Sequence, residues 1–525
     1  MNPQVHLGYE IYRSLRRGFF KTLLVDYGQP KPIRLKGGML LALALELAEQ
    51  IEKEMPRKRI GVVLPPGVAG VLSNLALLLA DKSPVNLNFT FGPTNLRYAM
   101  DKAGVKEVLS ASLMKEKFPQ FPLPADFFDI GAWLRTMSRK KIYLVWKALL
   151  LLVLPMRWNF KPLKDLKGKD SEAALLFTSG SSGNPKGVVL SHRNLLANCE
   201  QIASLNIFST QDKILANLPL FHSFGFTVAT ILPLIHRLTI VCAPSPLDLK
   251  SSLHAVRSEM VQVILGTPTF LKGYLRKAKK GEDLKSVRYV IAGAEKTPPG
   301  FKEKWESFCP CSYLEGYGLT ETSPVVSFNL PGLKSPLGSA GKLLPQIEVR
   351  TLDVETESTL PRHESGILCF RGPNIFSGYL DSPDETRKVL DKDGWLRTGD
   401  LGRVDDHGYL FVEGRLSRFS KIGGEMVPHE KIEREVMEFL GTKQEEDQVC
   451  AIVGVEDPAK GEQLVLLTTR SIEAKDLREN LSVRGFPNLW IPKIIRQVSD
   501  IPTLSTGKMD LRKIRELAEE EVEKG

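Results

Sequence analysis

The chain has 525 residues, more than one hydrophobic core normally supports, so at least two domains are expected. Hydrophobic residues at 42% and charged residues at 25% exclude a disordered or fibrous chain. The net charge of +10 favours an acidic partner, whether nucleic acid, anionic lipid or an acidic protein. The sequence carries no zinc-finger spacing, heptads or aromatic-basic signature of an RNA-binding sheet, which argues against nucleic acid. Cys199, Cys242, Cys309, Cys311, Cys369 and Cys450 have no framework spacing, as expected for a reducing compartment. Cys309 and Cys311 form the one close pair, and without further ligands nearby they read as plain thiols. No long apolar run follows the basic N-terminal residues, so no signal peptide is expected.

Short apolar runs at 60–64, 173–177, 238–242, 261–265 and 287–292, rich as a group in β-branched residues, alternate with helix-length segments at 68–81 and 193–204. That alternation predicts strands buried in layered α/β domains. Beyond about residue 330, shorter runs at 347–352, 366–370 and 409–412 predict a more antiparallel region. A helix at 431–439 and strands at 449–453 and 464–468 close the chain. The expected fold class is therefore α/β followed by α+β. The boundary falls in the basic polar stretch 415–421, giving a large domain over 1–414 and a small one over 415–525.

Residues 142–156 are apolar, and the stretch from Arg135 to Lys169 holds ten basic residues and one acid, Asp165. Fifteen residues fall short of the ~20 that span a bilayer as a helix. The segment fits a helix lying in the interface of an anionic membrane, with Trp146 and Trp158 near its ends, or a buried core helix. Residues 11–23, basic with Phe19 and Phe20, are a second candidate contact.

Leu176 to Leu190 reads LFTSGSSGNPKGVVL, an apolar strand entering a Ser/Gly-rich turn with one lysine. Small residues let backbone N–H groups converge on an anion, and Thr178, Ser179, Ser181 and Ser182 add hydroxyls around Gly180 and Gly183. Lys186 adds charge, so the loop is suited to a polyphosphate. It is not a Walker A loop, because Lys186 precedes Gly187 and a second β-rich run. A plain surface turn is the alternative.

Four further blocks follow in order: LEGYGLTE from Leu314, GWLRTGD from Gly394, Gly414-Arg415 with KIGGE from Lys421, and PTLSTGK ending at Lys508. Together with the Ser/Gly loop they resemble the adenylate-forming (AMP-binding) superfamily of acyl and aryl ligases. The resemblance runs from about residue 61 to 514. NLPLFHSFG from Asn217, GTPTFL from Gly266, RYVIAGAEK from Arg288 and RFSKIGGEM from Arg418 are most similar to one branch. That branch is the acyl-acyl-carrier-protein synthetase half of bacterial 2-acylglycerophosphoethanolamine acyltransferases, here expected to stand alone.

The resemblance implies a large adenylate-forming domain and a small mobile one. It implies ATP and Mg²⁺ as cofactors, a fatty acid substrate and holo-acyl carrier protein as thiol acceptor, with coenzyme A as the alternative. Location is expected to be cytoplasmic, peripheral on the inner face of a bacterial membrane. By the same resemblance Thr178, Ser179, Ser181, Gly183 and Lys186 hold phosphates, Thr320 donates to the α-phosphate and Glu321 is the metal ligand. Tyr317, between Gly316 and Gly318, faces adenine, with Gly293, Ala294 and Glu295 as the opposite wall. Asp400 and Arg415 contact ribose. Lys508 bridges the attacking carboxylate and the α-phosphate. His222 lines the acyl entrance, and Phe221, Phe226 and Thr227 are candidates for the acyl wall. Ser417 departs from the Asp or Lys common at the hinge. After rotation of the small domain, Arg418 and Lys421 are expected to border the thiol entrance.

Overall fold

The structure is a computed structural model that describes residues 6–154, 166–178, 184–422, 425–442, 448–457, 461–503 and 509–522. Two largely parallel sheets form the large domain. The nine-stranded sheet runs, in spatial order, Lys342–Leu343, Val325–Phe328, Ser312–Gly318, Tyr289–Ala292, Val263–Gly266, Lys213–Ala216, Thr239–Cys242, Thr22–Asp26 and Ile33–Lys36. The six-stranded sheet runs Phe128–Asp129, Val108–Ser110, Arg59–Val62, Ser83–Asn86, Glu172–Thr178 and Lys186–Ser191. The strands expected from the apolar runs are all present. Their side chains at Ile60, Leu175, Ile240, Ile264 and Val290 have no solvent exposure, as parallel strands covered on both faces require.

Helices Gly37–Glu54, Val68–Leu79 and His192–Ser204 contribute to the main core. The last begins where the strand Lys186–Ser191 ends, because Ser191 caps it: Asn194 N–H donates to Ser191 Oγ at 3.1 Å while Ser191 N–H donates to Asn194 Oδ1 at 3.0 Å.

An antiparallel sheet of Glu348–Leu352, Gly366–Arg371, Leu396–Val404 and Leu410–Arg415 follows, as the sequence pattern predicts. The chain leaves it at Arg415, makes one short turn over Leu416–Arg418 and enters a separate sheet through Phe419–Ile422. That last sheet also contains Glu425–Pro428, Cys450–Asp457, Gly461–Thr468 and Ile494–Gln497, covered by helices His429–Phe439, Ala474–Val483 and Leu511–Val522.

The apolar segment forms helix Lys141–Val153, and its character is mixed. Leu144, Ala148 and Leu151 are buried in the main core, packed beside helix Gly37–Glu54. Ile142, Trp146, Leu149, Leu150 and Val153 are exposed. Trp158 lies outside the described residues. The second candidate contact is corrected: Ile11, Tyr12, Leu15 and Leu23 are core residues and Phe19 is buried, leaving Phe20, at 70% exposure, as the one exposed apolar side chain of 11–23. Among the described residues no helix is long and apolar enough to cross a membrane.

Candidate functional site

The strand Ser312–Gly318 delivers the first site residues. A side chain on Gly318 would come within 1.8 Å of the Pro324 carbonyl oxygen, so only glycine lets the chain turn here. The turn continues through Thr320–Thr322 and is held by Thr322, whose Oγ1 accepts from Leu319 N–H at 2.9 Å. Thr320 Oγ1 lies 3.4 Å from Ser223 Oγ. Glu321 is fixed at both ends: its carbonyl accepts from Phe376 N–H at 2.9 Å, and its Oε1 accepts from the Tyr379 hydroxyl at 2.8 Å. Burial first, and then the Glu321 charge, push the Tyr379 hydroxyl well above its usual range, so it stays a donor.

Tyr379 joins two halves of the site. The Lys186 ammonium stands 5.1 Å from its ring centroid and pairs with Glu385 Oε2 at 2.7 Å. That hydrogen bond, with a second one donated by Lys388 from the same helix as Glu385, holds the Glu385 carboxyl at about 2. Lys186 sits directly opposite Thr178 in the antiparallel pair of strands, so the ladder closes the two ends of the Ser/Gly loop. Ser179, Gly180, Ser181, Ser182 and Gly183 lie outside the described residues, as does Lys508.

A second cluster forms around Asp400, which is 3% exposed. Its Oδ2 accepts from the Tyr317 hydroxyl and its Oδ1 lies 3.1 Å from Arg415 Nε. Asp400 and Arg415 face each other in register across adjacent strands, which brings two sequence blocks fifteen residues apart to one point. Burial and the Asp400 charge raise the Tyr317 hydroxyl well above its usual range. Gly293 abuts Gly316, since a side chain on it would meet the Gly316 carbonyl at 3.4 Å. Ala294 adopts φ +66°, and the Glu295 carboxylate accepts from Thr269 N–H at 3.2 Å and Thr269 Oγ1 at 2.7 Å, engaging the start of helix Pro268–Lys277.

The expected acyl residues divide. Phe221 is buried edge-on against Phe89, with ring centroids 5.0 Å apart, and His222 beside it is exposed. Phe226 and Thr227, expected on the acyl wall, are instead fully buried in the helical segment Phe224–Ile231, with Phe226 a member of the main core. They pack inward because Gly225 presses that segment onto the backbone of Leu218 and Pro219.

Arg418 requires a second correction. It is buried inside the small domain, its Nη2 2.5 Å from Glu433 Oε2 and its Nη1 donating to the Ile452 carbonyl at 3.1 Å. It is not presented to an incoming thiol. Lys421 is exposed and pairs with Glu355, in the turn after strand Glu348–Leu352. The residues that sequence reasoning missed are Tyr379, Glu385 and Ser223. The one signal for the first two was a Gly-Tyr step just before a Ser-Pro-Asp-Glu helix start, whose acid the fold brings to Lys186 on strand Lys186–Ser191.

The AMP-binding enzyme family model matches residues 33–380, about two thirds of the chain. The chain belongs to the AMP-binding enzyme family. Rice (Oryza sativa subsp. japonica) 4-coumarate–CoA ligase 3 is 32% identical over 321 residues, a match spanning 59% of this chain and 57% of that relative's own length. The long-chain-fatty-acid–CoA ligase of Bacillus subtilis (strain 168) is 27% identical over 546 aligned positions, covering 96% of this chain and 92% of that one. Among solved structures, ATP-bound MatB from Rhodopseudomonas palustris aligns at TM-score 0.77 and 24% identity over 97% of this chain and 98% of that chain. O-succinylbenzoate coenzyme A synthetase from Bacillus subtilis, in complex with ATP and a magnesium ion, aligns at TM-score 0.77 and 21% identity over 97% and 99%. Identities this low speak for the fold alone. The fold likeness continues past residue 380, so it takes in the small sheet as well as the large domain.

Proposed function

We propose that this family member is a long-chain fatty acid–acyl carrier protein ligase of the AMP-forming type. The observation that carries the reading is the chain of contacts from Lys186 through Tyr379 to Glu321, beside the Tyr317–Asp400–Arg415 cluster. It gathers a cation for phosphate, an oxygen ligand for a metal and a buried carboxylate for a sugar from three separate segments around Tyr317 and Tyr379.

A fatty acid carboxylate oxygen attacks the α-phosphorus of ATP. The bond to the β-phosphate bridging oxygen breaks and pyrophosphate departs, leaving an acyl adenylate. The thiol of holo-acyl carrier protein then attacks the acyl carbonyl, its proton is lost, and AMP leaves. Lys186 exchanges Glu385 for the β and γ phosphates, helped by Thr178 and the loop Ser179, Gly180, Ser181, Ser182 and Gly183. Thr320 donates to the α-phosphate. Tyr317 faces adenine opposite Gly293, Ala294 and Glu295, of which Glu295 contributes backbone, its carboxylate being engaged with Thr269. Asp400 and Arg415 take the ribose. Glu321 suits Mg²⁺: Tyr379 engages one carboxylate oxygen, and the other is left for a hard cation. When bound, that ion offsets polyphosphate charge. Phe221 and His222 border the acyl entrance. Lys508, by its motif, bridges the carboxylate and the α-phosphate in the adenylating pose, and the small domain of 415–525 turns about Leu416–Arg418 for thioester formation.

The acceptor assignment is supported by the branch-like blocks and the basic net charge, which steers an acidic carrier protein. The Bacillus subtilis relative, matched over nearly its full length, favours coenzyme A as the second reading. Both forms of the reading put the enzyme on the cytoplasmic face of a bacterial membrane, where fatty acids partition. The test is ATP–pyrophosphate exchange across a panel of carboxylic acids, followed by thioester formation with each thiol. Holo-carrier protein is expected to exceed coenzyme A by at least about tenfold in kcat/KM, roughly 1.4 kcal/mol. Equal or better turnover with coenzyme A decides for the second reading. No exchange with any long-chain acid overturns the substrate class.

A further inference from the structure

Helix Lys141–Val153 shows two apolar faces. At 3.6 residues per turn, Leu144, Ala148 and Leu151 make a stripe that is filled by the core. Ile142, Trp146, Leu149, Leu150 and Val153 fall within about 100° of one another on the opposite side. Trp146 is 65% exposed and Val153 81%, and the other three are exposed as well. Single exposed apolar residues are ordinary, but five in one stripe, including a tryptophan, mark a contact surface.

The surroundings say what covers it. Arg135, Arg139, Lys140 and Lys141, all exposed, crowd the N-terminal approach to the helix. At the other end Arg16 donates to the Leu152 carbonyl at 2.8 Å, adding a cation at the helix C-terminus. The acids beside the helix are engaged away from the outward stripe: Lys147 pairs with Glu46 at 2.5 Å and Glu49 at 3.1 Å, and Tyr143 donates to Glu46 at 2.9 Å, all on the flank between the two stripes. The outward stripe is therefore apolar at its centre and positive at its ends.

A helix of 13 residues is about 20 Å long, too short to span the ~30 Å of hydrocarbon, and its inner stripe is anchored in the protein. It can enter a bilayer only lengthwise and to shallow depth, with Trp146 at headgroup level and the cations on anionic phosphates. We infer that the outward stripe of helix Lys141–Val153 is the surface by which this protein docks on an anionic lipid bilayer. This deepens the membrane part of the reading above and is independent of its chemistry.

The test is co-sedimentation of the full chain with phosphatidylcholine vesicles with and without phosphatidylglycerol. Wild type binds the mixed vesicles, and binding falls as salt is raised past the point where screening shortens to about 8 Å. Trp146→Glu with Val153→Glu lowers partitioning at least about tenfold, because two carboxylates resist the apolar interface. Both positions are outside the core, so pyrophosphate exchange with detergent-solubilised fatty acid is unchanged. Arg139→Gln, Lys140→Gln and Lys141→Gln together remove the phosphatidylglycerol dependence without touching the apolar stripe. Wild type that ignores anionic vesicles overturns the membrane reading itself. Wild type that binds while the Trp146/Val153 variant binds equally overturns only the assignment to this helix. A dimer in light scattering that the variant dissociates, with no vesicle binding, gives the stripe to a second copy and overturns the inference.

Discussion

Arg415 and Arg418 lie three residues apart, and each pairs with a carboxylate, yet the two pairs belong to different kinds of structure. Arg415 is 56% exposed and meets the buried Asp400 at 3.1 Å from the solvent side. Arg418 is 6% exposed and is enclosed with Glu433, whose Oε1 also accepts from Ile452 N–H at 2.6 Å. The first pair can open toward a ligand, because its arginine keeps access to water. The second closes a network that ties helix His429–Phe439 to strand Cys450–Asp457, and opening it would strand a charge in the small-domain interior. The same chemistry at nearly the same place leaves a pair open to solvent on one side of the turn and a closed, cohesive one on the other.

The sharpest test of this difference is one substitution made at both positions. Arg418→Ala leaves Glu433 buried and unpaired, and should cost about 3–5 kcal/mol in a urea unfolding curve, enough to unfold the small domain selectively. Arg415→Ala should cost under about 1 kcal/mol in the same measurement. It should nevertheless weaken ATP binding by about ten- to hundredfold in calorimetry, through loss of a charged hydrogen bond. Similar stability losses would erase the distinction.

The cohesive side also predicts a pH dependence. His429, buried with its Nε2 2.8 Å from Ser420 Oγ, is held at about 3 by burial and by the charges of Arg418 and Arg515, against an ordinary 6.5. A histidine kept neutral in the fold stabilises fully above 6.5 and loses that contribution as pH falls toward 3. The small domain should lose on the order of 2 kcal/mol by about pH 5, and His429→Gln should flatten that slope in thermal unfolding followed across pH. A slope that persists in the variant assigns the acid lability to other groups.

On the recognition side the smallest effect is expected for Tyr379→Phe, which removes the hydroxyl that orients Glu321 and little else. The Mg²⁺ concentration for half-maximal pyrophosphate exchange should rise several-fold, about 1 kcal/mol, with thioester formation from supplied acyl adenylate unchanged. An unshifted Mg²⁺ requirement would leave Tyr379 as packing.

Much of the architecture was legible because buried parallel strands need continuous apolar runs, and those runs are conspicuous at 173–177 and 238–242. The Asp400–Arg415 pairing was read only through motifs, although the hairpin turn at Asp405–Gly408 sets the two strands in register and a bulge near Gly402 fixes which residues face each other. Arg418 was misjudged because burial of a charge is a tertiary outcome: its partner Glu433 lies on a helix that its own block does not include. Residues 11–23 misled for a related reason. Arg13, Arg16 and Arg17 alternating with Ile11, Tyr12 and Leu15 make a basic amphipathic pattern, and such a pattern fits a core helix and a membrane helix equally. The helix Lys141–Val153 offered core or membrane as rivals, whereas the structure gives it one buried face and one exposed apolar face. Tyr379 carried almost no signal, because its importance lies in standing between two residues that the chain supplies far apart.

The short turn Leu416–Arg418 sets the mechanics of the joint between the two sheets. Arg415 is fixed to the large domain by its ladder with Asp400, and Arg418 to the small one by Glu433 and Ile452. Only Leu416 and Ser417 lie between these clamps, and two residues offer about four soft backbone torsions. Any reorientation of one sheet against the other must be taken up almost entirely there. A joint so built has two links and no slack to spread a large turn over many small ones.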